Sequence, residues 1–426
     1  IVLMAVVGAL TLWEFYVRPD VAPASIEKMA YPLPDKPSIA VLPFDNMSED
    51  PGLAYFSDGM TEEIITSLAK IPDLFVIARN STFTYKGKPV KIQQVAEELG
   101  VQYVLEGSVR KTEDRIRVTA QLIDAINGKH LWAEQYDRLL KDIFAVQDDL
   151  TFKILKSLHI NITGDDARSC PRGTDNVDAY LKVIQAREAM YRHNIEGNAM
   201  ARKLSEEAVS MDPAYSTAYC MIAFSHMNDV ACGGSKSPKQ SLKMAFELIQ
   251  KSLSLESTCA LPYVTLAFCY LMTRQHDKAM AACEQAVNFD PNDAFAYGML
   301  ALVLTYSGNA DKAIPAIEKA LRLNPKPTAP FFNWQGLVYY QRGMFEEALS
   351  ALKKGLNLAP NAINIRYKLA ACYISLGREE EARAEVAALL KLNPNLTLSS
   401  LANMCPYKNQ ADLDLMMNDL RKAGLK

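Results

Sequence analysis

The stretch Gly308-Asn309-Ala310-Asp311-Lys312-Ala313-Ile314-Pro315-Ala316-Ile317-Glu318-Lys319-Ala320-Leu321-Arg322-Leu323-Asn324-Pro325 decides the fold of this 426-residue chain. A glycine opens it, as a tight turn with φ > 0 requires. Ala313 and Ala320 then fall on one helical face, where small side chains let a second helix approach closely. The Asn324-Pro325 pair ends the helix, because the residue before proline is driven out of the α region. These features recur at fixed offsets. Gly343 and Gly377 repeat the turn glycine; Ala245, Ala279, Ala348 and Ala382 repeat one small position; Ala208, Ser252, Ala286 and Gly355 repeat the other. Prolines 291, 325, 360 and 394 are 34, 35 and 34 residues apart, and Ser257 stands 34 before the first. Large residues such as Tyr263, Leu266, Tyr297, Leu300, Tyr339 and Leu369 fill the spaces between.

A two-helix unit with a 34-residue period is the signature of the tetratricopeptide repeat (TPR). Six units are expected, at 176–213, 214–257, 258–291, 292–325, 326–360 and 361–394, the second with an insertion at 231–240 between its helices. The fold class is thus an all-α TPR superhelical solenoid over 176–394, preceded by a small α/β domain and mainly α in total. In the C-terminal region 395–426, Leu413–Ala423 reads as an amphipathic helix covering the last apolar face, as solenoid ends require. Such arrays bind peptides along a concave face built from the first helix of each unit. Here that face is expected to hold Phe224, Met227, Phe268, Leu271, Met272, Leu302, Tyr306, Leu337, Tyr340 and Tyr367. It is apolar and aromatic, which suits a protein or peptide ligand; the same side chains suit packing between repeats or against the preceding domain. Chaperone-binding TPRs clamp a carboxylate with Lys and Asn, and the corresponding Cys220, Val264, Gly298, Asn333 and Tyr367 do not reproduce that clamp.

Upstream, Ile1–Trp13 carries no charge and is followed by Phe15, Tyr16 and Arg18, as at a membrane–water interface. A spanning helix needs about 20 apolar residues, so 1–18 is read as a truncated transmembrane helix that anchors the chain. Its orientation does not follow from these residues. The Pro-rich stretch 19–37 reads as an extended spacer. Over 38–162 the pattern is α/β: a buried strand Ile39–Phe44, a helix capped by Asp58 or Thr61, a strand at 74–78, a helix at 91–99, a hairpin of 101–110 with 115–124, a strand at 130–136 and a helix at 143–158. A polar linker, 163–175, separates this domain from the repeats.

No chemistry announces itself. With 46 basic and 49 acidic residues the net charge is −3, and nothing suggests nucleic-acid binding by this region. Phosphate-loop, dinucleotide, zinc-protease and nucleophile-elbow motifs are missing, so no catalytic residue, cofactor or metal is expected. Lys86-Gly87-Lys88-Pro89 suits a loop better than a phosphate cradle. Asp58, Glu62 and Glu63 read as a helix start meeting its dipole. Cys220, Cys269, Cys283 and Cys372 fit core positions. Cys170, Cys232, Cys259 and Cys405 fall near loops or helix ends, with free thiols the simpler reading.

Lys36–Ser48, Tyr55–Ile64, Tyr103–Arg110 and Leu131–Asp137 resemble the TolB-amino-terminal-like domain found before TPRs in bacterial membrane signalling proteins. With Pro406–Asn409 and Leu420–Leu425 added, the chain is similar to the C-terminal part of adenylate/guanylate cyclase-type TPR proteins; similar regions also follow winged-helix DNA-binding domains. The resemblance implies a non-catalytic scaffold or sensor at the bacterial cytoplasmic membrane. Residues 38–426 would be periplasmic and would regulate an N-terminal cytoplasmic output domain, such as a class III cyclase making a cyclic nucleotide. A cell-envelope assembly factor is the further alternative. The cyclase's metal and nucleotide residues have no counterpart here.

Overall fold

The structure, a computed structural model, describes residues 21–160, 173–191, 195–231 and 234–426. The expected membrane segment 1–18, most of the linker, Cys170 and Cys232 lie outside the described residues. No helix among the described residues is long and apolar enough to cross a membrane.

The α/β domain is organised by β1 (Ser38–Val41), all four residues of which are buried. It pairs in parallel with β3 (Phe75–Val76) and with β4 (Tyr103–Thr112). From β4 the sheet continues antiparallel through β5 (Arg115–Asp124) and β6 (Lys129–Leu139), giving the order β3-β1-β4-β5-β6. A short β2 (Asp45–Asn46) also pairs with β4. A central parallel strand is covered on both faces, and the pleat divides β1 accordingly. Ile39 and Val41 pack with Met60, Ile64 and Leu68 of α1 (Ala54–Ala69) and Leu150 and Ile154 of α3 (Ile143–Ser157). Ala40 and Leu42 pack with Val95 and Leu99 of α2 (Ile92–Leu99) on the other face.

One expectation is corrected. Helix α1 starts at Ala54, so Asp58 and Thr61 lie inside it and cap nothing. Asp50 accepts a hydrogen bond from the Gly52 N–H (2.7 Å) and closes a 3-10 turn over Pro51–Leu53 that runs straight into the helix. The acidic cluster instead meets cations: Asp58 pairs with Lys86, Glu62 with Arg79 (3.0 Å), and Glu63 with Arg187.

Beyond the domain the chain forms six helical pairs: α4 (Val177–Met190) with α5 (Ile195–Met211), α6 (Ser216–Ala231) with α7 (Pro238–Leu255), α8 (Ala260–Met272) with α9 (His276–Phe289), α10 (Ala294–Tyr306) with α11 (Ala310–Leu323), α12 (Ala329–Gln341) with α13 (Phe345–Leu358), and α14 (Ile363–Ser375) with α15 (Glu379–Leu392). Then follow α16 (Leu398–Met404) and α17 (Gln410–Lys422). The chain is a mainly helical TPR solenoid behind a small sheet domain. Ala245, Ala279, Ala313, Ala348 and Ala382 are wholly buried, as are Ala208, Ala286 and Ala320, where neighbouring helices touch. Ser252 sits at the equivalent site and resolves its polarity by bonding Ser216 across the crossing (2.9 Å).

The sheet domain docks on loops between pairs. The Asn292 amide donates to the carbonyls of Ala69 (2.9 Å) and Ile71 (3.2 Å). Asn324 accepts from Ser81 (2.7 Å), and Arg322 donates to the carbonyls of Gly100 (2.8 Å) and Pro32 (3.0 Å). At the first pair, Tyr191 donates to Glu62 (3.0 Å), and the Arg79 guanidinium is stacked between Phe83 and Tyr191.

A Cβ at Gly336 would overlap the buried side chain of Leu352. Gly336→Ala should therefore cost about 1–3 kcal/mol through overpacking, measured as a lowered urea midpoint. Gly343→Ala puts a Cβ into open space at φ 79°, where the cost is about 1 kcal/mol of left-handed backbone strain.

Candidate binding groove

Each expected groove residue lies on the first helix of its pair: Phe224 and Met227 on α6; Phe268, Leu271 and Met272 on α8; Leu302 and Tyr306 on α10; Leu337 and Tyr340 on α12; Tyr367 on α14. Phe224 and Met272 are half-buried, and the other eight are buried. The chain's own C-terminal region contacts Tyr306, Tyr340 and Tyr367 of this set. Cys405, Tyr407, Leu413, Met416 and Leu420 share one apolar cluster with Leu302, Tyr306, Leu337, Tyr340 and Tyr367.

The path of residues 405–409 shows why. A helix placed only on the end of a solenoid touches the last pair. Here the chain turns back across four. The Cys405 thiol sits against the Tyr367 hydroxyl (3.9 Å) in the sixth pair. The Tyr407 hydroxyl accepts from Gln341 (2.7 Å) in the fifth, and its ring meets Tyr306 edge-on at 4.8 Å in the fourth. In the third pair, Arg274 donates to the Tyr407 carbonyl (2.8 Å) and the Cys405 carbonyl (3.1 Å). The last carbonyls of a helix lack intrahelical donors, and that of Tyr306, the final residue of α10, takes the Lys408 N–H (2.8 Å). Helix α17 then runs back, where the Asp419 carboxylate accepts from Tyr340 and from Ser375 (both 2.8 Å). Chain closure follows, with the Leu398 N–H donating to the Lys426 carbonyl (2.7 Å).

Two cations lie near the returning segment, Arg274 exposed in a turn and Lys368 buried on α14. Arg274 occupies the turn position that Gly308, Gly343 and Gly377 hold in the next three pairs, and it adopts φ 59° there. A left-handed backbone costs a non-glycine residue about 1 kcal/mol. Lys368 is 3% exposed, donates to the Asn333 side-chain carbonyl oxygen (2.8 Å), and sits 4.9 Å from the Tyr367 ring centroid. No carboxylate forms a salt bridge with Arg274 or Lys368 among the described residues. Burial pushes the Lys368 ammonium down to about 8. Burial raises the Cys405 thiol even though Lys368 and Arg274 pull it the other way, and it lifts Cys372 to about 12.

Sequence reasoning names the aromatic positions but not Arg274, Gln341, Lys368 or Asp419. Arg274 is legible as the break in the glycine series. Lys368 is not, because nothing local distinguishes a buried lysine from a solvated one. Cys220, Cys269, Cys283, Cys372 and Cys405 are free and buried, and Cys259 is half-buried. No group of three His, Cys, Asp or Glu that could hold a metal occurs among the described residues.

The fold and groove define a TPR-containing protein with an N-terminal sheet domain. Sequence models of the tetratricopeptide repeat match residues 261–293, 299–363 and 339–403. Residues 35–151 match the HilA/YgeH-like transcriptional regulator, second domain. A curated relative, "Putative adenylate cyclase 3" of Rhizobium meliloti (strain 1021), is 44% identical over 248 residues, 58% of this chain and 42% of its own length. The chain thus spans less than half of that relative. Among solved structures, a thermophilic TPR protein of Thermus thermophilus is 18% identical with a TM-score of 0.37, covering 46% of this chain and 99% of its own. A tetratricopeptide repeat protein of Parabacteroides merdae is 14% identical with a TM-score of 0.35, covering 58% and 90%.

The Lys368 shift gives a signed expectation. Its folded value lies below the ordinary 10.5, so between about pH 8 and 10.5 the unfolded chain binds the extra proton and this residue's contribution to stability rises with pH. Lys368→Met removes the buried charge and should stabilise the protein by about 1–2 kcal/mol at pH 7, net of the orphaned Asn333 amide. That advantage should vanish towards pH 10. Paired urea titrations of both proteins across pH 7–10 read the difference and cancel the other groups.

Proposed function

We propose that this chain is a non-catalytic binding and sensing module, anchored to the bacterial cytoplasmic membrane through residues 1–18, with 38–426 on the periplasmic side. Its TPR groove takes a protein or peptide, and occupancy regulates an output domain N-terminal to the anchor. The observation that carries the binding reading is the groove's hold on the main chain of the returning segment: Arg274 on two backbone carbonyls, and Tyr306 on the Lys408 N–H. Main-chain recognition of this kind serves any extended peptide.

The relative named a putative adenylate cyclase supports a nucleotide cyclase as the output, with this chain the regulatory part; the TolB-like reading of the first domain rests on the sequence resemblance alone. A second reading has its own observation, since residues 35–151 match a domain of a transcriptional regulator. In that reading the output binds DNA.

One experiment separates these. The full-length gene product, expressed in a cyclase-deficient bacterium, should raise cyclic AMP, and residues 1–426 alone should not. Met272→Asp, at a half-buried groove position, should change full-length output at least threefold without changing the urea midpoint. Cyclic AMP made by residues 1–426, or unaltered output from a folded Met272→Asp protein, contradicts the proposal. DNA binding by the full-length protein without cyclase activity moves the conclusion to the second reading.

A further inference from the structure

Resting on the peptide-binding reading, we propose that residues 405–409 are a resident ligand of the groove. The partner that displaces them is an extended peptide with an acidic side chain two residues before an aromatic one.

Three observations converge. First, Arg274 stands where the next three pairs have glycine and adopts the left-handed backbone conformation that glycine tolerates best. Its guanidinium is spent on carbonyls of the returning strand, not on a side chain. Carbonyls are common to all peptides, so a competing strand can take over both bonds. Second, Tyr407 is held by features that read an aromatic residue and little else: the Tyr306 ring face and the Gln341 amide on its hydroxyl. Third, the resident strand places a neutral thiol, Cys405, where the groove supplies charge. Lys368 lies buried with Asn333 as its hydrogen-bond acceptor, and it and Cys405 both lie against Tyr367, the ammonium 4.9 Å from the ring centroid and the thiol 3.9 Å from the hydroxyl. An Asp or Glu at that position would give a buried ammonium the charge-assisted partner it lacks. The resident strand is therefore a partial match for the site, correct at the aromatic position and deficient at the acidic one.

On its N-terminal side the strand is joined to the rest by a small element. Only Leu401 is buried in the seven-residue α16 before it, and Met404 at their junction is 47% exposed. Such a segment opens at lower cost than the helical pairs beneath it.

The full chain contains its own reporters. Cys405 lies in the resident strand, while Cys372 and Cys283 are buried in α14 and α9 and become reachable only when the solenoid opens. Alkylation in native buffer, followed by peptide mapping, should modify Cys405 at least tenfold faster than Cys372 or Cys283. Two synthetic peptides copying residues 402–410 serve as probes, one with serine and one with glutamate in the place of Cys405. Both should speed Cys405 alkylation, the glutamate peptide at tenfold or more lower concentration. Lys368→Met should abolish the difference between the peptides but not the faster reaction of Cys405. Alkylation of Cys405 in step with Cys372 would overturn the proposal, as would peptides that leave its rate unchanged or act equally on the wild type. Either failure with Met272→Asp still altering full-length output would sink the resident-ligand idea alone and leave the binding reading standing.

Discussion

Everything in this structure depends on how closely helices can cross. Contact between helices is made through alanine, serine or glycine, buried at equivalent positions that recur every 34 or 35 residues from Ala245 onward. A methyl-sized contact lets two backbones approach so that the larger residues beside it interdigitate. The spacing is fixed by sequence, the crossing by side-chain size, and the curvature by repetition. The groove, the docking of the sheet domain and the path of the C-terminal strand all inherit that geometry.

Loops between pairs carry the second constraint. Asn292 and Asn324 in these loops, and Arg322 in the last turn of α11, hold the sheet domain. Their partners are backbone carbonyls and one hydroxyl of the sheet domain. Such bonds, once buried, are costly to leave unmade. The two domains therefore meet in a directed contact, reinforced at the first pair by Arg79, Arg187, Glu62 and Glu63.

The repeat is legible in sequence because its information is periodic. Gly308, Gly343 and Gly377 mark turns, and Ala279, Ala313, Ala348 and Ala382 mark crossings, each confirmed by its copies. The strands of the sheet domain are legible for a similar reason, since β1 is a short apolar run and β4–β5 alternate about a polar turn. The start of α1 is not, because Asp50, the residue that closes the preceding turn, lies in a stretch that reads only as loop. The groove residues fall on the expected helices, yet what covers them is out of sequence's reach. Nothing in Cys405-Pro406-Tyr407-Lys408 states that it returns across four pairs. That depends on contacts between residues up to 133 apart in sequence, such as Arg274 with Tyr407. Lys368 escapes notice for the same reason, since the Asn333 oxygen that receives it lies 35 residues away in sequence.

The position of the C-terminal segment in the groove is the point on which the proposed binding reading rests. Residue-resolved amide hydrogen exchange of the full chain tests this most directly at Lys408, whose N–H has the Tyr306 carbonyl as its partner. A strand seated in the groove protects this amide relative to an unstructured peptide, while leaving it faster to exchange than the amides of α12 beneath it. Exchange of Lys408 at the rate of an unstructured peptide would contradict that placement.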